Sequence, residues 1–147
     1  MQKLKIKRLN PLAMLPARAT SGSAGYDLCA CLEAPLTLPA HGRAVVPTGI
    51  AAELMPGTAG FIFGRSGLGI KHGIVPSNAV GVIDSDYRGE ILVGLQNHGD
   101  TDYYIQPGER IAQLVIMPVL LPETEETAEL EDTARGAGGL GSTGKKG

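Results

Sequence analysis

Three stretches of this 147-residue chain carry side chains that could do chemistry on a phosphate. "GRSGLG" (residues 64–69) sets Arg65 and Ser66 among three glycines. A guanidinium is a bidentate fork for phosphate oxygens, a hydroxyl is a donor, and glycine lets backbone N–H groups approach an anion. "GVIDSDYRGEI" (residues 81–91) places Asp84 and Tyr87 directly after an apolar run. Packing of that run would hold the Asp84 carboxylate, which could then orient and deprotonate a water. Tyr87 offers a flat platform for a sugar. The end, "RGAGGLGSTGKKG" (residues 135–147), combines Arg135, Ser142 and Thr143 with six glycines. Each stretch also has a plainer reading: a loop with one exposed arginine, a turn with capping aspartates, a frayed terminus.

The tail brushes against two familiar patterns and satisfies neither. "GAGGLG" (residues 136–141) fits G-x-G-x-x-G, but that fingerprint needs a following helix and a distant acid, and the sequence has six residues left. "GLGSTGKK" (residues 139–146) fits the first seven positions of a P-loop, yet Lys146 stands where a Ser or Thr should meet magnesium. What survives is the anion-holding chemistry. Residues 123–134 hold six acids and no base, and the tail after them holds three bases and no acid. An acidic spacer ending in a cationic, hydroxyl-bearing tip has the layout of a tethered lid. Fully extended, the spacer reaches roughly 40 Å, enough to cross a small domain or touch a neighbouring subunit.

Two further stretches are weak alone. In "AGYDL" (residues 24–28) and "RIAQLVI" (residues 110–116), Asp27 and Arg110 could form an ion pair. Gln113 lies within an apolar run, so its amide must be hydrogen-bonded if buried, and it could face a ligand.

These groups need a scaffold, and the composition indicates which kind. The length suits one domain. There are 21 glycines, 10 prolines and no tryptophan, which favours many short elements around a Val, Ile, Leu and Ala core. "KLKIKRL", "YDLCACL", "RAVVPTGIAAEL", "FIF", "AVGVI", "EILVGLQN", "TDYYI" and "RIAQLVIMPVLL" read as strands. Turn signals recur about every 8 to 12 residues, the cadence of an all-β sandwich or barrel. A short helical turn fits residues 66–71, and Pro47 and Pro118 mark edges or bends. The body would occupy residues 1–122, the acidic linker 123–134 and the arm 135–147.

Net charge is −2, with ten bases against nine acids before residue 123, which excludes a duplex-binding basic face. Cys29 and Cys31 are too few for a disulfide framework and read as reduced strand residues facing one side. The start, "MQKLKIKRLN", lacks the apolar segment of a signal peptide, and no apolar run is long enough to span a membrane. A reducing cytoplasm is the expected location.

Taken together, "AGYDL", "GRSGLG", "GVIDSDYRGEI", "RIAQLVI" and "RGAGGLGSTG" resemble, in order and spacing, the five motifs of the trimeric dUTPase family. The resemblance spans residues 4–144. It implies a jelly-roll β fold, a homotrimer, and active sites at subunit contacts closed by a C-terminal arm from another chain. Asp84 resembles the carboxylate that activates the attacking water. Tyr87 resembles the residue that packs under the deoxyribose. The hairpin around "PSNAVGVI", with Asn78 and Val82, resembles the uracil pocket. Arg65, Ser66, Gly67 and Gln113 resemble phosphate contacts, and Asp27 resembles a residue near the metal and its waters. Arg135, Leu140, Gly141, Ser142 and Thr143 resemble the arm's hold on the nucleotide. The implied reaction is hydrolysis of dUTP to dUMP and pyrophosphate with Mg²⁺ bridging phosphate oxygens, and no nucleic-acid or membrane partner.

Two departures stand out. Leu140 occupies the place of a phenylalanine that stacks on uracil, and Gly64 replaces a proline, which would loosen that loop. The related dCTP deaminases use a glutamate about where Gly94 stands, which argues against deamination. A nucleotide-sensing module without turnover would predict a damaged catalytic position, whereas Asp84, Ser66 and Arg135 are all in place.

Overall fold

The computed structural model describes residues 3–140. Eleven strands and one short helix follow in the order β1 (Lys5–Arg8), β2 (Tyr26–Cys29), β3 (Leu36–Leu38), β4 (Arg43–Pro47), β5 (Ile50–Glu53), β6 (Thr58–Phe63), α1 (Ser66–His72), β7 (Ile74–Pro76), β8 (Gly81–Ile83), β9 (Leu92–Asn97), β10 (Tyr103–Ile105) and β11 (Arg110–Pro118). All pairings are antiparallel. They form four small sheets, β1-β5, β3-β10, β2-β11-β6-β8 and β4-β9-β7, in a jelly-roll-like arrangement.

Short strands arise because turn residues interrupt every apolar run. Pro47 closes the edge strand β4; its carbonyl accepts from Cys31 rather than from β9, so its missing N–H lies on the side away from that partner. Gly49 at φ 66° and Gly108 at φ 76° supply left-handed turns before β5 and β11. Strands β3 and β7 have three residues each and no alternation long enough to read in the sequence.

The core is aliphatic. Leu28, Leu38, Val46, Ile50, Ile74, Leu95, Ile111 and Leu114 are almost wholly shielded, and Tyr26 and Tyr103 pack at its margin. Each such aliphatic side chain contributes about 1.5–3 kcal/mol of burial. Asn97 is buried among them with its polar atoms satisfied: its amide donates to the Leu38 and Thr101 carbonyls and its oxygen accepts from the Gly99 N–H.

The cysteine expectation needs correction. Strand β2 ends at Cys29, and the chain then leaves β11 for β4. Ala30 donates to the Glu109 carbonyl, and Cys31 donates to the Pro47 carbonyl. Cys29 is therefore half-buried on a strand, while Cys31 is buried in a crossover. Burial raises both thiol pKa values above the ordinary range; the Asp27 charge adds to this at Cys29 and the Glu90 charge at Cys31.

After β11, Val119 donates to the Gly57 carbonyl at 3.0 Å. Among the described residues beyond it, hydrogen bonds run only between near neighbours, and Leu120, Leu121 and Leu130 are exposed.

Candidate active site

Strand pairing builds the first cluster. Gln113 of β11 lies opposite Asp27 of β2, so the two side chains share a face of the sheet. Arg65 follows β6, the strand on the other side of β11, and starts the turn into α1 with extended backbone. Its Nε donates to Asp27 Oδ1 at 2.9 Å, and Arg110 Nη1 donates to Asp27 Oδ2 at 3.2 Å. The ion pair anticipated between Asp27 and Arg110 is thus a clamp with Arg65 as a second cation. One carboxylate between two guanidiniums leaves the site one positive charge in excess, which suits a phosphate.

Gln113 Nε2 donates to the Gly64 carbonyl at 2.9 Å, and Gly25 lies so close that a Cβ there would meet the Gln113 Oε1 at 2.5 Å. Gly64 also sits against Pro76, where an added Cβ would lie 3.1 Å from the ring. The loop expected to be loosened by Gly64 is therefore tied at its backbone to Gln113. Asp27, Arg65, Ser66, Gly67, Arg110 and Gln113 line one cleft of about 550 Å³. A Cβ on Gly67 would meet nothing within 4 Å, so the chain's own packing does not require glycine there. Its bare backbone leaves room for something that enters the cleft.

The second cluster is separate. Asp84 follows β8 and is exposed, and among the described residues no group hydrogen-bonds its carboxylate. The expectation that packing holds this carboxylate is corrected: Ile83 is half-buried, but Asp84 lies past the end of β8 and is exposed. Tyr87 is better fixed. Its N–H donates to the Asp84 carbonyl at 3.1 Å and its hydroxyl to the Glu90 carbonyl at 2.9 Å. A Cβ on Gly89 would collide with the Tyr87 hydroxyl and ring, so only glycine admits this ring position. Glu90 in turn accepts from the Gly49 N–H at 2.8 Å.

The segment around Asn78 is not a paired hairpin, a third correction. Its arms join different sheets, β7 with β9 and β8 with β6, and splay apart. Between them Ala79 adopts φ 63°, uncommon for a residue with a Cβ, and Val80 donates to the Asn78 carbonyl. Asn78 is exposed, as is Val82 at 58%. Gly94 lies below this turn, where a Cβ would meet the Ser77 Oγ at 2.5 Å.

Asn78, Val82, Asp84 and Tyr87 do not line the cleft of the first cluster. β8 runs antiparallel to β6 with Ile83 opposite Gly60, so Asp84 and Arg65 leave opposite ends of this strand pair, roughly 20 Å apart along it. In the tail, Arg135 Nε donates to the Gly138 carbonyl at 2.9 Å, and Leu140 is fully exposed. Gly141, Ser142 and Thr143 lie outside the described residues.

Sequence reasoning named Arg110 only as a structural partner and passed over Gly89. The signal for Gly89 was its place two residues after Tyr87. Arg110 gave none, because strand register alone sets the face it occupies.

Fold and cleft together define a jelly-roll β protein with a cationic site suited to phosphates. The dUTPase family model matches residues 12–144, and the chain belongs to that family. It is 52% identical over 143 residues to a deoxyuridine 5'-triphosphate nucleotidohydrolase of Paraburkholderia xenovorans, covering 97% of each chain. It is 53% identical over 148 residues to the enzyme of that name from Albidiferax ferrireducens, covering 99% of each. Among solved structures it resembles a G164S mutant of the Staphylococcus bacteriophage 80alpha dUTPase determined with dUpNHpp, at a TM-score of 0.89 and 29% identity, covering 99% of this chain and all of that one. It also resembles a mutant dUTPase from phage phi11 of S. aureus, described with a coordinated structural Mg(II) ion, at a TM-score of 0.81 and 25% identity, covering 89% of this chain and all of that one.

Proposed function

We propose that this protein hydrolyses dUTP to dUMP and pyrophosphate in active sites shared between the subunits of a homotrimer. The observation that carries the reading is the separation of the two clusters. A cationic cleft around Arg65 lies past the end of β6, whereas Asp84, with the fitted ring of Tyr87, follows β8 at the other end of that strand pair, six residues or roughly 20 Å along it. Neither suffices alone, and a second copy of the chain can supply what each lacks. The tail supports the same reading, since the described residues past Val119 make no hydrogen bond to their own body. The body (1–122), linker (123–134) and arm (135–147) then act as fold, tether and lid.

Asp84 is the general base. It takes a proton from the water that attacks the α-phosphorus in line, and pyrophosphate leaves opposite. Its exposure and unshared lone pairs leave it free for that water. Arg65, Ser66, Gln113 and the backbone at Gly67 hold the phosphate chain, and Arg135, Ser142 and Thr143 of an arm complete the enclosure with Gly141 and Leu140. Positioning and charge neutralisation supply most of the rate. Tyr87 lies under the deoxyribose and leaves no room for a 2′-hydroxyl. Asn78, Val82 and the open backbone at Ala79 form the uracil pocket. There a cytosine would leave buried groups unpaired.

The donor set fits Mg²⁺. Each Asp27 oxygen accepts one arginine N–H and keeps a lone pair for a metal-bound water, which suits an ion coordinated mainly by substrate phosphates and waters. When bound, Mg²⁺ would neutralise phosphate charge as the leaving group departs. Free thiols at Cys29 and Cys31 support a reducing, cytoplasmic location. Among the described residues no helix is long and apolar enough to cross a membrane.

Pyrophosphate release measured side by side with dUTP, dCTP, dTTP and UTP tests the reading. Strong preference for dUTP is expected, with Asp84→Asn losing turnover while keeping affinity for a non-hydrolysable analogue. Ammonia released from dCTP would instead establish deamination. Gly94 argues against that outcome, because it brings no carboxylate to the place where the deaminases have their glutamate.

A further inference from the structure

Side chains of a regular strand alternate between faces, so residues three apart point to opposite sides. Arg110 and Gln113 are three apart in β11, yet both line the phosphate cleft. The register explains this. Gln113 pairs with Asp27 and Ala112 with Leu28, but Arg110 pairs with Cys29, so Ile111 is an extra residue on β11. Ile111 and Ala112 are consecutive and both buried, which alternation forbids and a β-bulge produces. The bulge turns Arg110 onto the face that carries Asp27, Cys29 and Gln113.

Arg110 then meets Arg65 in two ways. Its guanidinium takes Asp27 Oδ2 at 3.2 Å, leaving Oδ1 for the Arg65 Nε at 2.9 Å. Its carbonyl accepts from Arg65 Nη1 at 3.4 Å. Two of the three Arg65 nitrogens are thereby engaged, and Nη2 has no partner among the described residues. We propose that Arg110, re-aimed by the bulge at Ile111, is a positioning residue that keeps Asp27 from pairing bidentately with Arg65 and so holds the Arg65 Nη2 toward the substrate's phosphate chain. Without the Arg110 side chain, both Asp27 oxygens are open to the Arg65 fork, the geometry guanidinium and carboxylate prefer. The fork would rotate onto Asp27 and away from the cleft.

This rests on the proposed dUTP-binding function, and the test separates the two. Dissociation constants are measured for α,β-imido-dUTP and for dUMP with wild type, Arg110→Gln, Arg65→Gln and the double variant. Wild type that binds neither ligand would sink the dUTP reading itself and this proposal with it. With binding in wild type, Arg110→Gln is expected to weaken the triphosphate analogue about tenfold, to leave dUMP within about twofold, and to add nothing to Arg65→Gln. Equal losses for both ligands would show a general structural role and overturn the proposal. So would additive losses in the double variant, which would mean that Arg110 acts on the phosphates independently of Arg65.

Discussion

At the scale of single residues, two positions test the proposed reading of the nucleotide. Gly89 is fixed by contact, because any Cβ there strikes the Tyr87 ring. Gly89→Ala should move that ring off its seat and loosen the barrier to ribose. The ratio of kcat/KM for dUTP over UTP is expected to fall about tenfold, and an unchanged ratio would show that Tyr87 does not set sugar choice. Leu140 keeps apolar cover but lacks a π-face. Leu140→Phe is expected to lower KM for dUTP about fivefold, by analogy with base–aromatic stacking. Equal KM values for the two proteins would remove Leu140 from the base-facing part of the arm.

At the scale of elements, the turn between β10 and β11 sets the entry of β11 and with it the placement of Arg110. Glu109 ties this turn: one oxygen accepts from the Tyr103 hydroxyl and the other from the Gln106 N–H at 2.8 Å. Burial, then the Glu109 hydrogen bond, push the Tyr103 pKa from 10.0 up to about 12. A raised pKa means that the folded state favours the protonated phenol. The resulting stabilisation is complete below pH 10 and is lost as pH rises toward about 12. Urea midpoints should fall across that window more steeply in wild type than in Tyr103→Phe. Parallel curves would mean that the phenol contributes nothing there.

At the scale of the whole molecule, Arg65 and Asp84 stand at opposite ends of the β6-β8 pair, and the proposed reaction calls on another copy to complete each site. Subunit mixing tests this. Asp84→Asn and Arg65→Gln proteins, each inactive alone, should recover about a quarter of wild-type activity when unfolded and refolded together at equal ratio, as random assembly of shared sites predicts. No recovery would place both groups in one chain's site. Removal of residues 135–147 should cripple turnover while sedimentation still reports the same oligomer. A truncated protein with full activity would dispose of the lid.

The sequence alone determined the chemistry and the kind of scaffold. Arginine, serine and glycine in one loop, a carboxylate and tyrosine in another, and apolar runs cut by turn residues are local facts, and strands with period-two patterns can be read locally too. So were most of the strands and the helical turn that became α1. Strands β3 and β7 could not be read, because three residues without a longer apolar run around them show no period, and they are defined only by their partners β10 and β9. Tertiary structure also decided which face each site residue occupies. One extra residue at Ile111 inverts the facing of everything before it, and no spacing rule sees a bulge that only the neighbouring strand defines. The separation of Asp84 from Arg65 was likewise settled by the antiparallel register of β8 on β6, a long-range property that belongs to neither motif.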